Sequence, residues 1–270
     1  MPVIIDGTNG VSTPNTFAFK NRLINAQLLI NQRGVSGTVS LSAGAYGHDR
    51  FKAGASGCTY TFSTTNNVTT LTISAGSLQQ VIEGLNLESG TYTLSWTGTA
   101  QGKIGAGSYG ASGITGSITG GTNTTIEFNT GTLSLPQLEV GSTATSFDYR
   151  PYGTELALCQ RYTYRHSAEG DIDNFAPLGM GRYFGTNAAQ LYVPFKVTMR
   201  TSPSSVTQVG NIAVNDVAFN AFAITLALNE TSSSGATLTG TTTSGTTAGN
   251  ATTFYANGTS NAALIFSAEL

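Results

Sequence analysis

Apolar residues fall at every second position through much of this chain. In "TYTLSW" Tyr92, Leu94 and Trp96 share one face, with Thr91, Thr93 and Ser95 on the other. "LTISA" aligns Leu71, Ile73 and Ala75, and "TIEF" aligns Ile126 and Phe128. "QLYVPFKVTM" sets Leu191, Val193, Phe195, Val197 and Met199 opposite Gln190, Tyr192, Lys196 and Thr198, and "AITLAL" aligns Ile224, Leu226 and Leu228. Period two predicts strands with one wet face, as in antiparallel sheets. Many such strands between Gly, Asn and Pro turns predict an all-β chain built as sandwich or barrel. Pro194 has no N–H for a ladder, which predicts an edge or a bulge there.

Two stretches break the pattern. Gly102–Thr124 contains a formal GxGxxG at Gly105, Gly107 and Gly110, but "ASGITGSITGG" cannot open the helix that a dinucleotide site needs. Thr231–Thr253 is Thr-, Ser- and Gly-rich and reads as a long polar loop or a flat hairpin.

Between the two strand-rich halves lies "LEVGSTATSFDYRPYGTELALCQRYTYR", from Leu138 to Arg165. It opens with the end of a strand. Arg150, preceding Pro151, is biased to extended backbone. Thr154 is a plausible N-cap for a short helix, with Glu155 in its first turn. "RYTYRH" then alternates again. The segment reads as a joint, and its Arg150, Glu155, Arg161 and Arg165 as inter-domain or inter-chain contacts.

Composition narrows the function. Charged residues make up 10% of the chain, against about 25% in ordinary soluble domains. Ser, Thr, Asn and 33 glycines take their place, giving a neutral, hydroxyl-rich exterior. A net charge of −2 gives no reason to expect nucleic acid, and no apolar run has the length of a membrane span. "MPVIIDGTNG" is not the opening of a signal peptide. Cys58 and Cys159 read as free thiols in a reducing compartment.

Catalytic constellations are sparse. His48 in "YGHDRF" has no supporting motif and reads as a structural hydrogen-bonding group. Asp171 and Asp173 suit a calcium-binding or solvated turn better than a glycosidase pair. Trp96 alternates with core residues and reads as core. The candidate binding residues are aromatics outside that periodicity. Tyr109 sits in the Gly-rich loop, Tyr183 and Phe184 in "GMGRYFG", Tyr192 on the polar strand face beside Lys196, and Tyr255 near the C-terminus.

"NRLINAQLLINQRG" followed by "YGHDRFKAG" resembles the opening of a jelly-roll module of bacteriophage tail-fibre and related virion-fibre proteins. Leu23, Asn25, Gln32, Arg33 and Gly34 carry the likeness, then Asp49, Arg50 and Phe51. The joint is similar to the hinge that follows such modules. "LIFSAEL" looks like a terminal strand, and "MPVIIDGTNGV" like a virion-attachment phrase. The resemblance implies a carbohydrate-binding-module-like jelly-roll β-sandwich, then a second smaller β-sandwich domain, in a trimeric fibre. The implied divisions are an attachment segment over 1–17, the jelly roll over 18–150, a hinge with a short helix over 151–165, and the C-terminal domain over 166–270.

The expected protein is non-enzymatic and located in the virion after assembly in the host cytoplasm. Its expected partners are itself as a homotrimer, other tail or baseplate proteins through the N-terminus, and a host-surface glycan. Neither nucleic acid nor membrane insertion is expected. No cofactor is expected; a structural calcium is common in the related sugar-binding modules, but the resemblance assigns it no ligands here. The first module should lie proximal and the second distal, with loops after Asn229 and around Tyr183 at the tip. The alternative is a purely structural head-fibre, capsid-decoration or tail-assembly protein. A polysaccharide-degrading tailspike fits poorly, because the chain lacks the length and repeats of a β-helix.

Overall fold

The structure is a computed structural model. It describes residues 19–168, 175–215, 221–242, 246–259 and 261–270, and the backbone of 4–6 and 10–12. Asp171 and Asp173, and most of the attachment segment 1–17, lie outside the described residues. The chain is nearly all β, with several sheets and one α-helix among the described residues. It divides into two compact units, Met1–Leu156 and Ala157–Leu270.

In the first unit β1 (Ile4–Asp6) and β2 (Gly10–Ser12) form a short hairpin. The remaining strands are β3 (Val39–Leu41), β4 (Lys52–Thr65), β5 (Val68–Ile82), β6 (Gly90–Thr97), β7 (Gly102–Ile104), β8 (Ile114–Ile118), β9 (Thr124–Phe128) and β10 (Gly131–Val140). All pair antiparallel in one hydrogen-bonded network. The long β4–β5 hairpin turns at Asn66 and Asn67, both at positive φ (50° and 58°), as a two-residue primed turn requires.

β10 belongs to two pairings. Gly131–Leu133 pair with β5, and Ser134–Val140 pair with β6. The register breaks between Ser134 and Gln137, where Leu135 has φ 50° and Pro136 follows. That bulge turns the strand from one layer into the other. Tyr60, Leu71, Leu78, Ile126 and Phe128 from one layer share a core with Tyr92, Leu94, Trp96 and Leu138 from the other. Trp96 meets Phe128 edge-on at 5.3 Å and donates its indole N–H to the Ala100 carbonyl at 3.0 Å, as a core tryptophan should. Ala75 departs from its predicted face. Thr59 pairs with Ala75 and Tyr60 with Ile73, so the extra residue Ser74 flips Ala75 outward.

Helix α1 (Tyr152–Gln160) begins two residues before the expected N-cap. The Pro151 carbonyl accepts the Glu155 N–H at 3.1 Å, so Pro151 caps the helix and Thr154 lies inside its first turn.

The second unit holds β11 (Thr163–Ser167), β12 (Pro177–Gly185), β13 (Ala188–Pro194), β14 (Ser205–Val209), β15 (Ile212–Asn215), β16 (Ala221–Ser232), β17 (Gly235–Thr241), β18 (Ala251–Ala256) and β19 (Ala263–Ser267). Strands β11, β19 and β14 form a three-stranded sheet. The other six close into a barrel in the order β12-β13-β17-β16-β15-β18. A closed barrel therefore replaces the expected second sandwich. Closure through the β12–β18 pairing leaves these strands no free edge, and Tyr183, Val193, Ile212, Leu238 and Phe254 are buried in the core.

Pro194 ends β13, paired with Gly235 of β17 on one side and three residues beyond the last β12 partner at Leu191 on the other. Its missing N–H falls on that unpaired side, a local edge as expected. The predicted strand thus stops short of Phe195, Val197 and Met199. Asn229, expected to precede tip loops, lies within β16, and the Thr-rich stretch supplies β17 as the second strand of a hairpin.

Candidate functional site

The outer face of the first unit carries a row of polar side chains across four adjacent strands. The register pairs Lys52 of β4 with Gln79 of β5, Gln79 with Glu127 of β9, and Glu127 with Lys103 of β7. Their sequence neighbours Ala53, Leu78, Ile126, Phe128 and Ile104 face the core, so alternation turns this row outward. Three strand spacings make it about 15 Å long.

Tyrosines stand at both ends. Tyr46 bridges to Lys52, with Lys52 Nζ 5.9 Å and Arg33 Cζ 5.0 Å from its ring centroid. Tyr109 lies beside Lys103, whose Nζ is 4.7 Å from its ring centroid. The Gly-rich stretch places Tyr109. Gly102 and Gly110 exchange backbone hydrogen bonds of 3.0 and 2.9 Å, and Gly105 turns the loop at φ 56°. The formal GxGxxG is thus a pinned loop.

Glu127 is the hub. Ser77 Oγ donates to its Oε1 at 2.5 Å, and Lys103 Nζ pairs with its Oε2 at 2.9 Å. A Cβ on Gly54 would collide with Ser77 Oγ, so this glycine makes room for the hub. Burial pushes the Glu127 carboxyl up, but hydrogen bonds from Ser77, Lys103, Tyr109 and Gln79 more than offset it and leave the group below its ordinary value. Burial, then the bond to Glu127, raises the Tyr109 hydroxyl to about 12. One fixed carboxylate, an ammonium, an amide and a phenol ring that is 36% exposed can together bind hydroxyl-bearing ligands. Sequence reading found Tyr109 and missed Ser77, Gln79, Lys103 and Glu127. Their alternation was visible, but the β5–β9 and β9–β7 adjacency was not.

The other candidate aromatics separate. Tyr183 is corrected from surface to core. It is 1% exposed, with Thr252 Oγ1 3.4 Å from its hydroxyl, because in–out alternation on β12 buries Tyr183 and exposes its neighbours Arg182 and Phe184. Tyr192 is exposed, and its ring lies on Gly235, where a Cβ would come within 2.9 Å of Cζ. Tyr255 is half-buried, and burial, then Tyr183, raises its hydroxyl.

The joint charges also find places. Arg150 and Glu155 pair at 3.2 Å inside the first unit, with side chains only 5% and 9% exposed. So buried, both charges find partners within that unit. Arg161 Cζ lies 6.0 Å from the Tyr162 ring centroid, and Arg165 donates to the Asn261 carbonyl at 3.3 Å.

The motif residues Asn25, Gln32 and Asp49 are buried scaffold. Asn25 bonds Ile30 and the Asp49 carbonyl, while Asp49 accepts both the backbone and side-chain N–H of Gln32. Among the described residues no group of three or more His, Cys, Asp or Glu side chains is arranged to hold a metal ion. Cys58 and Cys159 are buried and not disulfide-bonded, and burial raises the Cys58 thiol to about 11.

His48 is buried, with Nδ1 2.9 Å from the Tyr60 hydroxyl and its ring edge-on to Phe62. Burial lowers its pKa from 6.5 to about 4. Unfolded chains bind this proton below pH 6.5 and folded ones only near pH 4. Stability should therefore be full above pH 6.5 and fall by about 3 kcal/mol as pH drops through that window. Urea titrations at pH 7 and pH 4 check this, and His48→Gln should remove that part of the pH dependence.

These features define an all-β protein of two units, one carrying a polar cross-strand face and the other a closed barrel. No protein-family model matches the chain, and no curated protein is similar to it in sequence.

Proposed function

We propose that this chain is a non-enzymatic virion-fibre protein that holds a phage particle to a host-surface glycan. The observation that carries the reading is the row from Tyr46 to Tyr109, with Glu127 at its hub. Sugars offer hydroxyls to fixed donors and acceptors and C–H faces to aromatic rings, and this face supplies both. It places a single carboxylate, Glu127, among amides, ammonium groups and phenols, which suits binding better than hydrolysis by a carboxylate pair.

In this reading the first unit is a jelly-roll module and three chains make the fibre. The N-terminus joins tail or baseplate proteins, and the protein resides in the virion. The neutral, hydroxyl-rich exterior supports assembly, because few charges need desolvation. A purely structural head-fibre or capsid-decoration role is the second reading. It draws on Met180, Phe184 and Tyr192, exposed at 73%, 48% and 59% on the barrel, which suit packing between chains.

Adsorption to host cells and a glycan array test the first reading. Tyr109→Ala should weaken glycan binding about tenfold, equivalent to ~1.4 kcal/mol. Tyr192→Ala should leave glycan binding unchanged. Wild-type protein that assembles but binds no glycan supports the structural reading. Native mass spectrometry should give a trimer, and a stable monomer at micromolar concentration argues against the fibre.

A further inference from the structure

In the first unit the segments that flank β3–β10 are tied together. Phe19–Asn25 lead toward these strands, and Pro136–Glu155, from within β10 into α1, lead away from them. Lys20 Nζ donates to Thr145 Oγ1 and the Ser146 carbonyl, both at 2.5 Å. The Asn21 N–H donates to Asp148 Oδ2 at 3.3 Å. Arg150 donates to the carbonyls of Asn21 and Leu23, the latter at 3.1 Å. The Asn25 N–H donates to Glu155 Oε1. Beneath these, the Asn21 side chain bonds the Pro136 carbonyl and the Leu138 N–H, each at 3.0 Å, and the Arg22 N–H reaches the Leu138 carbonyl at 2.8 Å.

The order of these contacts matters. Residues 20, 21, 23 and 25 meet residues 145–146, 148, 150 and 155, so the two segments run in the same sense. Tension on the chain draws the incoming segment toward its N-terminus and the outgoing one toward its C-terminus. Parallel segments pulled this way slide along each other, and every contact is loaded at once. Antiparallel segments tethered at one end would instead peel one contact at a time.

From this geometry we infer a mechanical function: the first unit carries tension through a shear-loaded clasp, with Arg150 at its centre, which must yield before the load passes through β10 into the sheets. Pairs buried as deeply as Arg150–Glu155 lose little strength to competing water. The sheet face with Tyr109 and Glu127 would then keep its shape while the chain is pulled. The clasp acts whether or not that face binds glycan, so force and glycan measurements fail independently.

Single-molecule pulling of the full chain by its two ends tests this. Residues 19–155 should release in one step of roughly 45 nm, after a single force barrier. Forced unfolding follows the unfolding barrier, so Arg150→Met should reduce the rupture force to about half at the same pulling rate. Lys20→Ala removes only peripheral hydrogen bonds. It should lower rupture force measurably with an unchanged melting temperature, and it decides the matter if Arg150→Met does not fold. Pulling instead between the exposed β4–β5 turn at Asn66 and the C-terminus should rupture at lower force than pulling end to end. Wild-type rupture force in Lys20→Ala, or equal force in both pulling geometries, overturns the clasp.

Discussion

Arg150→Ala should cost the first unit about 3–5 kcal/mol, the range for breaking a buried ion pair from one side. The loss has four sources. Glu155 keeps its charge in a nearly closed site, Asp148 loses the guanidinium 3.7 Å away, and the carbonyls of Asn21 and Leu23 lose their donor. Phe19 also loses the guanidinium 5.3 Å from its ring centroid. Calorimetry of the full chain should report a melting transition of the first unit lowered by roughly 8–15 °C. The double variant Arg150→Ala, Glu155→Ala should recover part of the loss, since it leaves no unpaired carboxylate at that spot. An unchanged melting temperature would mean that water solvates the pair.

Asp49→Ala should have a comparable effect, about 3–5 kcal/mol. Asp49 is fully buried, accepting the Gln32 N–H at 2.9 Å and its side-chain amide at 2.5 Å, with Arg33 Nη1 at 3.8 Å. Alanine leaves these donors facing a void. Asp49→Asn keeps an acceptor and should recover part of the loss. Urea unfolding of both variants separates lost charge from lost hydrogen bonds.

Both predictions fall on residues that the sequence marks out without revealing their work. Asn25, Gln32 and Asp49 stand out in the sequence through the resemblance to fibre modules, but only long-range folding brings them together as scaffold. Strand alternation was legible wherever strands stay regular, as at Tyr92, Leu94 and Trp96, or Leu191 and Val193. It failed where one residue changes register, at Ser74, and it was hidden in "GMGRYFG", where glycines mask the alternation that turns Tyr183 inward and Phe184 outward. Barrel closure depends on β12 pairing with β18, far apart in sequence and unmarked by any local pattern. The candidate site was half visible. Tyr109 announced itself by its glycine surroundings, while Lys103 and Glu127 looked like ordinary strand charges until β9 was seen between β5 and β7.

The double membership of β10 has a consequence during synthesis. Neither layer of the first unit is complete until Gly131–Val140 has left the ribosome, because one half of this strand pairs with β5 and the other with β6. At about 5–20 residues per second, the earliest strands wait on the order of ten seconds for it. During that wait β6 lacks its β10 neighbour, and Tyr92, Leu94 and Trp96 have no finished core to enter. The nascent chain is therefore most exposed to misassembly just before Pro136 emerges, and stalls or truncations upstream of that residue should yield aggregate in place of a smaller folded unit.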